Sequence, residues 1–153
     1  AVHPDPARQS QIGALARASG VEVEVSGEAL PRLLARCRVA FVTSGTATLE
    51  AALLRVPAVV VYRVSRPMRV GRPFGLLTPF VALPNLLAGH ELFPEFVTAR
   101  DPTRAMADAA RRFFEAGAAR AACLRQLDSL RTRLLVPGTA GRAADAILEQ
   151  LTR

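Results

Sequence analysis

Not one lysine occurs in the 153-residue chain, so all 20 basic side chains are arginines and the formal net charge of +7 rests on guanidinium groups alone. Codon bias in a GC-rich genome is the simplest source of that choice. The charge favours an anionic partner, whether nucleotide phosphate, phospholipid surface or nucleic acid, without choosing among them. Tryptophan is also absent, tyrosine occurs once and aromatics make up 5% of the chain. The stacking platforms of single-strand binders are therefore poorly provided, which argues against nucleic acid. The two cysteines, Cys37 and Cys123, form no CxxC pair, and the two histidines, His3 and His90, have no metal-ligand spacing. Reduced, partly buried thiols are the expectation, and no cofactor is implied. Apolar runs are short, residues 56–62 being among the longest, well below the roughly 18 residues of a membrane-spanning helix. The opening Ala1-Val2-His3-Pro4-Asp5-Pro6 offers neither a basic start nor an apolar signal core, so the expected location is the cytoplasm.

What is present suffices for a core: hydrophobic residues make up 50% and the mean hydropathy is +0.22. Residues 6–18 read as a helix stopped by Gly20, and residues 21–25 alternate valine with glutamate like a half-exposed strand. A short helix over 30–35 precedes an apolar strand over 39–42, a turn at 43–46, a helix over 46–54 and a buried valine-rich strand over 56–62. Strand, turn, helix, strand is the order of a βαβ crossover, which implies parallel neighbours. Prolines and glycines interrupt residues 63–80, and residues 81–83 could add one more short strand. Helices are expected over 103–115, 118–135 and 139–151. The fold class is α/β, a Rossmann-like parallel sheet with an α-helical C-terminal tail. It forms one domain over 1–153, with a βα core over 1–101 and helices over 102–153.

The turn Ser44-Gly45-Thr46 is the main candidate for chemistry. In open α/β sheets ligands bind beyond the carboxyl ends of the strands, where helix N-termini aim free N–H groups at an anion. Gly45 would let the backbone approach a phosphate, and the Ser44 and Thr46 hydroxyls could add hydrogen bonds. Glu50 lies four residues after Thr46, on the same helical face, where a carboxylate would repel phosphate but suit a pair of sugar hydroxyls. Together they fit a nucleoside diphosphate. Serine and threonine at a helix start also act simply as caps, so spacing alone leaves both readings open.

The run Thr43-Ser44-Gly45-Thr46-Ala47-Thr48-Leu49-Glu50-Ala51 resembles the SGTATLEA signature of lipid-A-disaccharide synthases. Further matches follow in order: Val-Pro-Ala-Val-Val-Val-Tyr-Arg-Val at 56–64, Leu-Pro-Asn-Leu-Leu-Ala-Gly at 83–89, Glu91, and Pro94-Glu95. The PNLLAG segment is seldom found outside that family. The resemblance covers roughly residues 20–150 and implies the C-terminal half of a two-domain GT-B glycosyltransferase. Its first strand, a glycine-serine-arginine loop and the next helix would then precede Ala1. It implies transfer of 2,3-diacylglucosamine from UDP-2,3-diacylglucosamine to 2,3-diacylglucosamine 1-phosphate, without a required metal. Ser44, Gly45, Thr46, Glu50 and Asn85 match the UDP-binding positions, Glu50 as the ribose ligand.

The general base is expected outside this chain, which alone would then be inactive. Glu91 and Glu95 could substitute for it, but both sit in what reads as a helix start, where the dipole favours carboxylates anyway. His90 stands where the family usually has arginine; it and Glu91 are candidates for substrate contact. Arg63, Arg66, Arg69 and Arg72 recur every third residue among apolar neighbours, which suits either the surface of an anionic inner membrane or a solvated arginine face over packed residues. The implied partners are the UDP-sugar donor and a lipid acceptor. A homodimer is also open, with exchanged C-terminal helices covering Leu124, Leu127, Leu130, Leu134, Ile147, Leu148 and Leu151. Two alternatives stand beside the synthase reading: a related enzyme with another lipid acceptor, and a non-catalytic nucleotide-sugar-binding module.

Overall fold

A computed structural model describes residues 1–64 and 79–151. Three parallel strands form the sheet in the order β1 (Ala40–Thr43), β2 (Ala58–Arg63), β3 (Glu95–Thr98). Ala40 pairs with Ala58 on one side of β2, and Val60 pairs with Glu95 on the other. Position in the sheet explains the valine run: Ala58, Val59 and Val60 in the central strand are wholly buried, as expected of a strand covered on both faces.

Helices fill the crossovers. α1 (Pro6–Ala18) and α2 (Leu30–Leu34) precede β1, α3 (Thr46–Leu53) joins β1 to β2, and α4 (Leu83–Ala88) lies between β2 and β3. α5 (Thr103–Phe114), α6 (Ala118–Leu134) and α7 (Thr139–Leu151) follow β3. α3 packs against α2, α4, α6 and the sheet, a close approach allowed by Ala51 and Ala52, which are fully or almost fully buried. α5 packs on β2 and α6. Ala109, Ala110 and Phe113 from α5, and Cys123, Leu127 and Leu130 from α6, join the same core as the strands. α7 buries no residue, and its Ile147 and Leu151 are exposed.

The expected helix over 6–18 forms as read: Asp5 Oδ1 accepts the Ala7 N–H at 2.8 Å and Pro6 occupies the first turn, where a missing N–H does no harm. Two strand expectations fail. Residues 21–25 join no sheet; the segment makes one parallel bridge, Ser26 to Val2, with Val21 and Val23 exposed. Alternating valine and glutamate favours an extended backbone, but a ladder needs a partner strand along its length, and among the described residues the segment has only that one bridge. Residues 81–83 form no strand either, because Pro84 stands in the first turn of α4 and pulls the chain into a helix from Leu83. The third strand lies at Glu95–Thr98, where a helix start was expected. Phe96, Val97 and Thr98 favour a strand, and the pairing with β2 decides the outcome.

Cys123 illustrates the core. Burial pushes its thiol up to about 11, against a smaller opposing pull from Arg120. The thiol is protonated throughout the neutral range and shielded by the fold. Alkylation of native protein near pH 8 is expected to modify half-buried Cys37 first, with Cys123 reacting only on unfolding, as read by mass spectrometry with and without denaturant.

Candidate functional site

The turn from β1 into α3 stands at the carboxyl edge of the sheet, since β1 ends at Thr43 and α3 starts at Thr46. Gly45 has φ 148° and ψ −164°, a region essentially reserved for glycine. A Cβ at Gly45 would meet nothing within 4 Å, so the backbone conformation and not lack of space demands the glycine. Thr48 is fully buried, and its hydroxyl and N–H both reach the Gly45 carbonyl, at 2.7 and 3.2 Å. That cap turns the carbonyl inward. The N–H groups of Thr46 and Ala47 keep no acceptor among the described residues, which is the arrangement that receives an anion at a helix start. Gly45→Ala is expected to lower stability by about 1–3 kcal/mol through backbone strain. It should also displace those N–H groups and so weaken the hold of this helix start on an anion; denaturant unfolding and calorimetric titration with pyrophosphate would check the two effects separately.

The hydroxyls behave differently from each other. Ser44 Oγ donates to the Val81 carbonyl at 2.8 Å, so its single proton is engaged within the protein and is not available to a phosphate. Thr46 is exposed, with no side-chain partner among the described residues. Glu50 is half-buried one turn further along α3, and its carboxylate makes no hydrogen bond or ion pair among the described residues. Arg63 ends β2 at the same edge, two residues past the partner of Thr43. It helps hold the Asp101 carboxyl below its ordinary value, a shift due first to the Thr103 hydroxyl and N–H and last to Arg63. Arg66, Arg69 and Arg72 lie outside the described residues.

Asn85 is placed differently from expectation. It is wholly buried, and its Nδ2 donates to the Phe93 carbonyl and to Glu95 Oε1, both at 2.8 Å. Its Oδ1 accepts the N–H groups of Leu92 and Phe93 at 2.8 and 2.9 Å. Two donors and two lone pairs are thereby filled, so the amide has no capacity left for a nucleotide. It closes the loop from α4 to β3 instead. His90 and Glu91 are exposed in that loop, beyond the left-handed Gly89 that ends α4. They stand at the opposite end of α4 from Val81, the residue that Ser44 bonds, and no hydrogen bond among the described residues joins them to the turn.

Two residues were misjudged or overlooked in the sequence. Thr48 carries the glycine cap, and its place three residues after Gly45 is the available signal. Glu95, read as part of a helix start, opens β3 and accepts the N–H groups of Val81 and Ala82 at 2.8 and 2.9 Å in addition to Asn85. A cleft of about 590 Å³ lies elsewhere, between α1 and the extended segment after it, lined by Gln9, Gly13, Arg17, Val21 and Val23 among others. None of the turn residues lines it. No group of three or more His, Cys, Asp or Glu suited to a metal ion occurs among the described residues, and no helix among them is long and apolar enough to cross a membrane.

Comparison with known proteins bears on the same segments. Residues 4–130 match the family described as Lipid-A-disaccharide synthetase. A lipid-A-disaccharide synthase of Myxococcus xanthus is 43% identical over 135 residues, covering 87% of this chain and 35% of that protein. One of Azotobacter vinelandii is 40% identical over 122 residues, covering 78% of this chain and 30% of that protein. One of Albidiferax ferrireducens is 35% identical over 156 residues, covering 95% and 39%. The chain thus spans about a third of the length of the curated relatives it matches. With most of its residues inside the family match and a parallel α/β sheet carrying the glycine turn at its carboxyl edge, the chain belongs to the lipid-A-disaccharide synthase family.

Proposed function

We propose that this chain is the donor-binding, C-terminal portion of a GT-B lipid-A-disaccharide synthase. The protein containing it transfers 2,3-diacylglucosamine from its UDP carrier to 2,3-diacylglucosamine 1-phosphate. The observation that carries the reading is the pairing of two unlike groups on one helix: N–H groups at Thr46 and Ala47 and a Glu50 carboxylate one turn further on, each without a partner among the described residues. A diphosphate fits the first and the ribose hydroxyls fit the second. Thr46 Oγ1 and the Gly45 backbone complete the phosphate contact, Ser44 and Asn85 hold the surroundings, and Arg63 brings positive charge to the same edge.

In this reaction the bond between the anomeric carbon and the diphosphate breaks, and negative charge grows on departing UDP. Fixed N–H donors and the positive end of α3 oppose that charge where it develops, lowering the barrier more than they stabilise the intact donor. The acceptor side and the general base come from the other domain. The exposed apolar face of α7 serves contact with that domain or a second subunit, and the arginines from Arg63 onward meet the surface that holds the lipid substrates. Calorimetric titration of the full-length protein with UDP tests the reading: micromolar binding that is lost on Glu50→Ala is expected, and binding indifferent to Glu50 would overturn it.

A further inference from the structure

The β1–α3 turn does not hold itself in place. Ser44 Oγ reaches across to the Val81 carbonyl at 2.8 Å, 37 residues further along the chain. The peptide that supplies that carbonyl is fixed in turn, because the N–H groups of Val81 and Ala82 both end on the Glu95 carboxylate, at 2.8 Å to Oε2 and 2.9 Å to Oε1. Asn85 Nδ2 adds a further donor to Oε1 at 2.8 Å. Glu95 itself is anchored by backbone pairing with Val60 in the central strand, next to β1. A continuous path therefore runs from the middle of the sheet through Glu95 and residues 81–82 to Ser44.

The chemistry requires a carboxylate at position 95. Three donors converge on it from two backbone N–H groups and one amide, and no arginine pairs with it among the described residues. Glutamine would present an NH₂ group to at least one of those donors, placing hydrogen against hydrogen. A carboxylate is acceptor-only and takes them all.

Resting on the donor-site reading above, we propose that Glu95 is a positioning residue for UDP, setting the diphosphate-binding turn through Val81 and the Ser44 hydroxyl. It touches no substrate, and among the described residues the hydrogen bond by which its effect reaches the turn is that of the Ser44 hydroxyl. That single link makes the idea testable by a double-mutant cycle in the full-length protein with Ser44→Ala, Glu95→Gln and the pair. Each single substitution is expected to weaken UDP binding about tenfold, and the double variant no more than the stronger single, because both cut the same path. Multiplicative losses in the double variant would overturn the proposal, since Glu95 would then act on binding by another route or only through general stability.

Amide exchange in ligand-free protein supplies a readout that a purely structural glutamate would not move. The Thr46 and Ala47 amides should gain a measurable change in exchange rate in both single variants, while amides in α5 and α6 keep theirs. Unchanged Thr46 and Ala47 amides in Ser44→Ala would sink the idea, and this variant, which removes one surface-side hydroxyl, serves even where Glu95→Gln fails to fold. Wild-type protein that does not bind UDP overturns the donor-site reading and this inference with it. Glu50-dependent UDP binding that ignores Ser44→Ala overturns the positioning role alone.

Discussion

Asn85→Ala is expected to lower the unfolding free energy by about 3–5 kcal/mol, estimated from roughly 1–3 kcal/mol for each buried polar group left unpaired and some relaxation around the gap. The Leu92 and Phe93 N–H groups lose their shared acceptor, and the Phe93 carbonyl loses a donor, in a part of the molecule where Asn85, Phe93 and Pro84 are all wholly buried. Glu95 also loses one of its donors. Asn85→Asp is expected to be no milder, because it keeps the shape but sets a second carboxylate against Glu95 and the Phe93 carbonyl. Denaturant unfolding of the full-length protein measures the loss. The same experiment separates the two roles considered for this residue: an Asn85→Ala variant of unaltered stability that no longer bound UDP would put the amide back in the nucleotide site.

Asn85 shows why local motifs told more about identity than about role. PNLLAG carries part of the family resemblance, and the segment does lie close to the turn, through Val81 and Ser44. Whether its asparagine faces ligand or protein depends on where residues 92–95 return, and that is a matter of tertiary placement. Glu95 failed for the same reason. A proline followed by a glutamate reads as a helix start from the sequence alone, and only pairing with Val60 makes it the first residue of a strand. By contrast, the elements read correctly are those whose signals are local: Asp5 and Pro6 opening α1, Gly45 breaking the chain before α3, and the valine run that suits only a central strand. Residues 21–25 had the right local pattern, but among the described residues no strand lies beside them to complete a ladder. The glycine turn between β1 and α3 was legible because Gly45 and the threonine that caps it, Thr48, stand only three residues apart.

Glu50 is where the functional reading has most to lose. Glu50→Ala should weaken UDP binding by about 10- to 150-fold, since hydrogen bonds to a charged group contribute roughly 1.5–3 kcal/mol and each 1.4 kcal/mol is tenfold. Stability should barely change, because the carboxylate has no hydrogen bond or ion pair to lose among the described residues and alanine is the better helix former. Glu50→Gln keeps one acceptor and should lie between, near tenfold. The choice of ligand sharpens the test. Inorganic pyrophosphate has no hydroxyl for Glu50 and is repelled by it, so its affinity should hold or rise in Glu50→Ala while that of UDP falls. Removing the ribose 2′ and 3′ hydroxyls from UDP should reproduce the loss in wild-type protein and have almost no further effect in the variant, because both changes delete the same contact. If dideoxy-UDP instead weakened the variant as much as the wild type, the ribose would be held elsewhere. Glu50 would then be a solvated side chain on α3, and the turn an anion site without the sugar selectivity the proposed reaction needs.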